Sequence, residues 1–363
     1  MSLLPQPEGE RTSLEGLVDV DRLREWMDDQ DGLPGRGEPL EVKRVSSGAS
    51  NDIFELHRGG EVLMLRRPPR TPRERSNEIM MREARVLGAL DGTDVPHARL
   101  YASCDDTDVL GATFYIMGRI DGFTPMGELP SPFGDDAALR REMGFQLIEA
   151  AARLGNVDYQ AAGLEGFGKP DGFHERQVDR WLSHLEGYQS LDGYDGRDIV
   201  GLEEVAEWLR AHLPQTWEPG IIHGDYQFAN VMFDHAEPVR LVAIVDWEMS
   251  TVGDPLLDLG WVLCTWRNPG EAGQENAYTR PWDGFPSREE LVERYTEVST
   301  RPVGDLDYYT ILAGFKLAVM LEGHWAREVA GVLGTGLGQT MRDTTDRLIQ
   351  EAAERVRGER PSV

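Results

Sequence analysis

The sequence predicts an α+β protein of two lobes, a small sheet-plus-helix lobe followed by a larger, mostly helical one. Three observations predict it. Period-two alternation of apolar and polar residues is concentrated before residue 122. Helical periodicity dominates after "GRIDG" at 118–122. One short strand pair, "VMFD" and "RLVAIVDW", lies embedded among the later helices.

In chain order, residues 1–18 read as a tail, acidic and Pro-containing at its start. "DVDRLREWMD" at 19–28 is a short amphipathic helix opened by an acidic cap. From 40 to 66 the pattern is of strands, with alternation in "IFELH" and "EVLML" and the turn "RGG" between them. A helix is expected over 72–90, after Pro72, followed by strands in "DVPHARLYASCDD" and "ATFYIMGRIDG". Helices are expected at 135–155, 173–188, 201–213, 254–266, 287–299, 305–327 and 338–357. The lobes are thus drawn as 19–118 and 119–357, with a C-terminal tail at 358–363.

The 363 residues include 64 acidic and 37 basic ones, for a net charge of −27. Nucleic acid and anionic membrane are disfavoured as partners, since both demand positive charge. The charge would suit a cationic substrate, and surface solubility accounts for it equally well. Cys104 and Cys264 are far apart and belong to no metal-ligand or disulfide pattern. "MSLLPQPEGE" lacks the features of a signal peptide, and no stretch has the apolar length of a membrane span. The expectation is a cytoplasmic protein. Its only lysines are Lys43, Lys169 and Lys316.

The chemistry is concentrated in "IIHGDYQFANVMFD" at 221–234. His223, Asp225 and Asn230 form H-x-D-x-x-x-x-N, the spacing of the protein-kinase catalytic loop with glycine in place of arginine. Asp225 can accept the proton of an attacking hydroxyl, Asn230 can offer a neutral oxygen to a metal, and His223 can hold the loop. In "VAIVDWE" an apolar strand delivers Asp246 at its end, where a carboxylate can bind Mg²⁺. The Ser/Gly-rich turn within "RVSSGASNDIFEL" can lay backbone N–H groups over phosphates.

Glu83 lies on an apolar stripe with Ile79, Val86, Leu87 and Leu90, so its carboxylate needs a partner. No lysine occurs between Lys43 and Lys169, and the third strand offers Arg66 and Arg67 instead. Alternation puts these arginines on opposite faces without choosing between them. Asp254, before Pro255, reads as a helix cap, and Asp258 is one turn further in, where it could pin the catalytic loop. The Gly/Pro-rich segment around Trp282 and Asp283 is a candidate acceptor site, or a solvated insertion.

Taken together, "SSGASND", "VLMLRRPP", "REARVLGAL", "FYIMGRIDG", "HGDYQFANVMF", "IVDWE" and "GDPLLDLGW" resemble the aminoglycoside phosphotransferase-like family. More narrowly, they resemble its branch related to the kinase domains fused to some acyl-CoA dehydrogenases. The resemblance runs from about residue 20 to about residue 350. It implies a bilobal protein-kinase-like fold and transfer of the γ-phosphate of ATP, or of GTP, to a small-molecule hydroxyl with Mg²⁺. Asp225 would be the catalytic base, and Asn230 and Asp246 the metal ligands.

By the same resemblance Ser47, Gly48, Ala49 and Ser50 would cover the nucleotide. Arg66 would stand in the usual lysine's place, paired with Glu83, and backbone groups around Met117 and Arg119 would meet adenine. The acceptor would be an aminoglycoside, an amino alcohol or a hydroxyacyl-CoA. The sequence departs from the family at Arg66 and at Gly155, where relatives often have histidine. The missing lysine motivates an alternative, a catalytically silent nucleotide- or metabolite-binding module.

Overall fold

The computed structural model describes residue 14 and residues 16–47, 51–72, 74–271, 278–334 and 336–360, with backbone alone at 46 and 47. In chain order the elements are α1 (Val20–Asp29), β1 (Glu41–Ser47), β2 (Asp52–Arg58), β3 (Glu61–Arg67), α2 (Ser76–Leu90), β4 (Leu100–Cys104), α3 (Thr107–Leu110) and β5 (Phe114–Gly118). They continue with β6 (Gly127–Glu128), α4 (Ala137–Asn156), α5 (Gln177–Gly187), α6 (Leu202–Ala211), β7 (Gly220–Ile222), β8 (Val231–Phe233), β9 (Leu241–Ile244) and β10 (Thr251–Gly253). The last are α7 (Leu256–Thr265), β11 (Thr279–Arg280), α8 (Arg288–Val298), α9 (Leu306–Val329) and α10 (Gly338–Val356). The chain divides into two compact units. One comprises residues 1–125, 160–164 and 229–250, and the other 126–159, 165–228 and 251–363.

The first unit is built on an antiparallel sheet in the order β1-β2-β3-β5-β4. The alternation of "DIFELHR" is the reason β2 sits inside it, since Phe54 and Leu56 point into the core. The β2–β3 turn needs two left-handed residues, and Gly59 and Gly60 supply them with φ of 61° and 78°. Asp19 caps α1 through the Arg22 amide, and Leu23 and Met27 bury its apolar face. Trp26 meets Phe114 edge-on at 4.8 Å.

Helix α2 starts at Ser76, later than expected, and its stripe is turned from the one read off the sequence. Met80, Glu83, Ala84, Val86, Leu87 and Leu90 are buried, whereas Ile79 is only half-buried. Residues 79–81 are all apolar, so the spacing fits either Ile79 or Met80 ahead of Glu83. The hairpin β8–β9 completes this unit, with a bridge from Phe123 to Phe233 and another from His97 to Ile244.

The second unit is mainly helical, and α9 is its longest helix, buried along most of its length. Helix α7 is almost wholly apolar and packs on α9 through a close approach at Gly260. A Cβ there would lie 2.5 Å from the Tyr309 carbonyl group, so glycine is required. Gly155, the departure from the family pattern, has a similar explanation: a Cβ would lie 2.8 Å from Pro255 Cβ. Strands β7 and β10 pair antiparallel, with Ile221 opposite Val252, and this ribbon leads directly into the loop of His223. Two short pieces that the sequence did not reveal, β6 and β11, pair in parallel. No helix of the described residues is long and apolar enough to cross a membrane.

Candidate active site

In the second unit, Ile221 and Ile222 are buried in β7 and fix where the following loop begins. Asp258, one turn into α7, accepts hydrogen bonds from the backbone amides of His223 at 2.6 Å and Gly224 at 2.9 Å. Burial pushes the Asp258 carboxyl up, and His223 and the two amides draw it back down. Gly224 takes φ of 86°, which lets the loop turn here. His223 Nδ1 accepts from the Asp225 amide at 3.3 Å. Tyr226 donates to the Leu147 carbonyl at 2.7 Å, anchoring the loop to α4. Asp225, 8% exposed, accepts from Gln227 Nε2 at 2.6 Å. His223 and Asp258 thus hold the backbone that carries Asp225.

The same unit holds a buried lysine whose surroundings the sequence did not reveal. Lys316, in the middle of α9, is 4% exposed, with its ammonium over the rings of Trp181 and Trp261. Burial depresses it to about 8, although Asp258 and Asp225 pull it up. In the unfolded chain it stays protonated up to its ordinary value of 10.5. Between these pH values the unfolded chain holds the extra proton, so stability rises with pH through that window. Below it the full penalty of the buried charge is present. Lys316→Met should therefore raise the melting temperature at neutral pH, by a stability gain on the order of 3 kcal/mol. The gain should shrink as pH climbs from 8 to 10.5. Thermal unfolding of both proteins across that range checks this, and a pH-independent difference would contradict it.

In the first unit, β3, α2 and the end of β9 bring three charged residues together. Arg66 Nε lies 3.0 Å from Glu83 Oε2, and Arg66 Nη2 donates to Asp246 Oδ1 at 2.9 Å. Tyr115 on β5 donates to the same Glu83 oxygen at 2.9 Å, a contact the sequence gave no means of finding. Glu83 is fully buried and its Oε1 has no partner among the described residues. Burial pushes the Glu83 carboxyl up to about 7 against the pull of Arg66 and Tyr115. Burial pulls Arg66 down, but Glu83, Tyr115 and Asp246 together hold it above its ordinary value. The guanidinium stays charged throughout the working pH range, so Glu83 faces a full positive charge. Arg67 points elsewhere, donating to the carbonyls of Leu17, Leu110 and Pro68.

Asp246 has φ of 65° and ψ of 61°, a left-handed conformation that no other non-glycine residue takes among the described residues. Such a backbone costs about 1–3 kcal/mol and recurs at functional positions. Trp247, buried beside it, donates from Nε1 to the Ile244 carbonyl and holds the turn. Asn230 is buried just before β8, and its backbone carbonyl accepts from the Val245 amide at 2.9 Å. Asn230 and Asp246 offer only oxygen donors, which fits a hard cation such as Mg²⁺. No group of three or more His, Cys, Asp or Glu side chains that could hold a metal ion by itself occurs among the described residues. Mg²⁺ bound partly through substrate phosphates calls for only one or two side-chain oxygens.

The other expected positions are less informative. Ser47 ends β1, where its backbone pairs with Asp52, while Gly48, Ala49 and Ser50 lie outside the described residues. Met117 pairs with Met64 across the sheet, and Arg119 is exposed with its Nε 3.7 Å from Glu55. In the segment suggested for the acceptor, residues 272–277 lie outside the description. Trp282 packs with Trp266 at 4.8 Å and Phe285 at 4.7 Å, and Asp283 pairs with Arg140. Asp254 supports the start of α7 through the Leu256 amide and also accepts from His174 and Tyr309.

Comparison with known proteins identifies the family and the fold. Residues 41–291 match the phosphotransferase enzyme family, APH. Acyl-CoA dehydrogenase family member 11 of Gallus gallus is 33% identical over 303 residues, covering 80% of this chain and 37% of that protein. The chain thus spans little more than a third of that relative's length. A solved structure from Ralstonia eutropha, provisionally assigned as an aminoglycoside phosphotransferase, is 30% identical with a TM-score of 0.79. The match covers 94% of this chain and 98% of that one. A choline/ethanolamine kinase family protein from Mesorhizobium loti shares the fold at 20% identity, with a TM-score of 0.52 and coverage of 93% and 97%. The chain has the protein-kinase-like fold and belongs to the phosphotransferase enzyme family, APH, in the branch that includes the kinase-like portions of acyl-CoA dehydrogenase family members 10 and 11.

Proposed function

We propose that the protein is an ATP-dependent small-molecule kinase that transfers the γ-phosphate to a substrate hydroxyl. The observation that carries this reading is Asp225, presented on a loop whose backbone is tied to Asp258. Phosphoryl transfer depends on positioning and on neutralising charge, so a rigidly held carboxylate is the part it requires. Asp225 would accept a hydrogen bond from the acceptor hydroxyl, aim its oxygen and take its proton as the bond to phosphorus forms. Asn230 and Asp246 would hold Mg²⁺, which supplies positive charge against the phosphates. Arg66, kept in place by Glu83, would contact phosphate with a planar fork where a lysine would offer a point charge. The small lobe, 19–118, would cover the nucleotide and the larger one, 119–357, would take the acceptor.

The acceptor would come from the aminoglycosides, the amino alcohols or the hydroxyacyl-CoAs. The presence of Arg66 in place of lysine favours one competing reading, a silent nucleotide- or metabolite-binding module. The two readings separate in a Mg²⁺ titration of ATP turnover with Asp246→Asn. The variant should need about tenfold more Mg²⁺ for half-maximal rate. An unchanged requirement would remove Asp246 from the metal site. A wild-type protein that binds Mg-ATP and never turns it over with any acceptor class would favour the silent module.

A further inference from the structure

The terminal torsion of an aspartate is broad, so a fixed backbone does not by itself aim the carboxylate. Asp258, His223 and Tyr226 hold the backbone around Asp225, through the amides of residues 223, 224 and 225 and the Leu147 carbonyl. None of these four contacts involves the carboxylate of Asp225. Gln227 reaches it, donating from Nε2 to Asp225 Oδ1 at 2.6 Å. An ionised carboxylate only accepts, so the Gln227 amide turns its NH₂ toward Asp225 and its own oxygen away.

Gln227 is itself fixed from both sides. Tyr226 before it is fully buried and bonded to α4. Phe228 after it is buried against Phe285 at 5.3 Å, Trp266 at 5.5 Å and Trp282 at 6.3 Å. The indole N–H groups of Trp266 and Trp282 donate in turn to the carbonyls of Pro286 and Arg267. Gln227 is half-buried between these two anchors.

We propose that Gln227 is a positioning residue for phosphoryl transfer, fixing the plane of the Asp225 carboxylate so that the acceptor hydroxyl meets it in one orientation. The proposal rests on the kinase reading for what Asp225 does and adds how its carboxylate is aimed. The donor is neutral. It satisfies one oxygen without cancelling the negative charge that draws the acceptor's proton, as an ammonium in its place would. Trp266, Trp282 and Phe285 brace the catalytic loop through Phe228, a task separate from holding the acceptor.

The test uses Gln227→Met, which keeps the length and loses the N–H, and Gln227→Lys, which keeps a donor and adds a charge. Carbon-13 NMR follows the labelled Asp225 carboxyl through a pH titration of the full chain, with Asp225→Asn identifying its signal. A donor favours the ionised form, so the midpoint should rise by about one pH unit in Gln227→Met. It should fall below that of wild type in Gln227→Lys. Lys316 acts on Asp225 electrostatically and His223 accepts its backbone amide, and these substitutions leave both groups in place. In steady-state kinetics Gln227→Met should lower kcat about tenfold, with KM for ATP and for the acceptor nearly unchanged. Added to Asp225→Asn it should cost nothing further, since it acts through Asp225. An unmoved midpoint, an intact kcat, or a loss that adds fully to that of Asp225→Asn overturns the proposal. If Gln227→Met fails to fold, the midpoint in Gln227→Lys decides. The titration needs neither ATP nor turnover. A moved midpoint in a protein that phosphorylates no acceptor would sink the kinase reading, and an unmoved midpoint in an active enzyme would sink this proposal alone.

Discussion

Asparagine in place of Asp225 should lower kcat by about 10²–10⁴-fold, the usual contribution of a positioned general base. The substitution keeps the side chain's size and its hydrogen bond with Gln227, which Asp225 now accepts through Oδ1. It removes the negative charge that orients the acceptor hydroxyl and takes its proton. The loop should stay in place, because Asp258 holds its backbone and Tyr226 anchors it to Leu147. Mg-ATP binding should persist, and the melting temperature should change little. Steady-state kinetics alongside a nucleotide thermal shift measure both halves. A kcat within a few-fold of wild type would remove Asp225 from the chemistry.

The largest effect on stability should come from Glu83→Ala. Arg66 would then keep only part of the negative charge now around it in a buried place, and Tyr115 would lose the acceptor it meets at 2.9 Å. Breaking a buried ion pair from one side typically costs about 3–5 kcal/mol, a large fraction of a domain's stability. The double variant Arg66→Met, Glu83→Leu should recover most of that loss, because apolar replacement of both partners leaves no charge stranded. It should also be inactive, since Arg66 is proposed to contact phosphate. Denaturant unfolding of Arg66→Met, Glu83→Leu and the double gives the coupling energy directly. Additive losses would mean that the contact contributes nothing beyond its separate parts.

The two-lobed α+β organisation was legible because its signals are local. Alternation marks β2 and β3, paired glycines mark their turn, and apolar runs mark α7 and α9. The loop of Asp225 was legible through spacing, since a polar triplet inside apolar strand sequence is uncommon. Other features depend on tertiary contact. Arg66 and Arg67 are adjacent, and only the packing of α2 on the sheet selects Arg66 for Glu83. Tyr115 reads as an ordinary strand aromatic until Glu83 is seen beneath its hydroxyl. Lys316 was conspicuous as one of three lysines, yet its mid-helix position gave no sign that Trp181 and Trp261 would enclose it. The stripe on α2 was misplaced because Ile79, Met80 and Met81 are all apolar, and helical spacing fits more than one of them.

The most direct test of the central claim is Mg²⁺-dependent release of ADP from ATP across a panel of hydroxyl acceptors. The panel holds aminoglycosides, amino alcohols, sugars, hydroxy acids and hydroxyacyl-CoAs. The account predicts turnover with one acceptor class, accompanied by a phosphorylated product and absent without Mg²⁺. No turnover with any class, together with no thermal stabilisation by Mg-ATP, would contradict it.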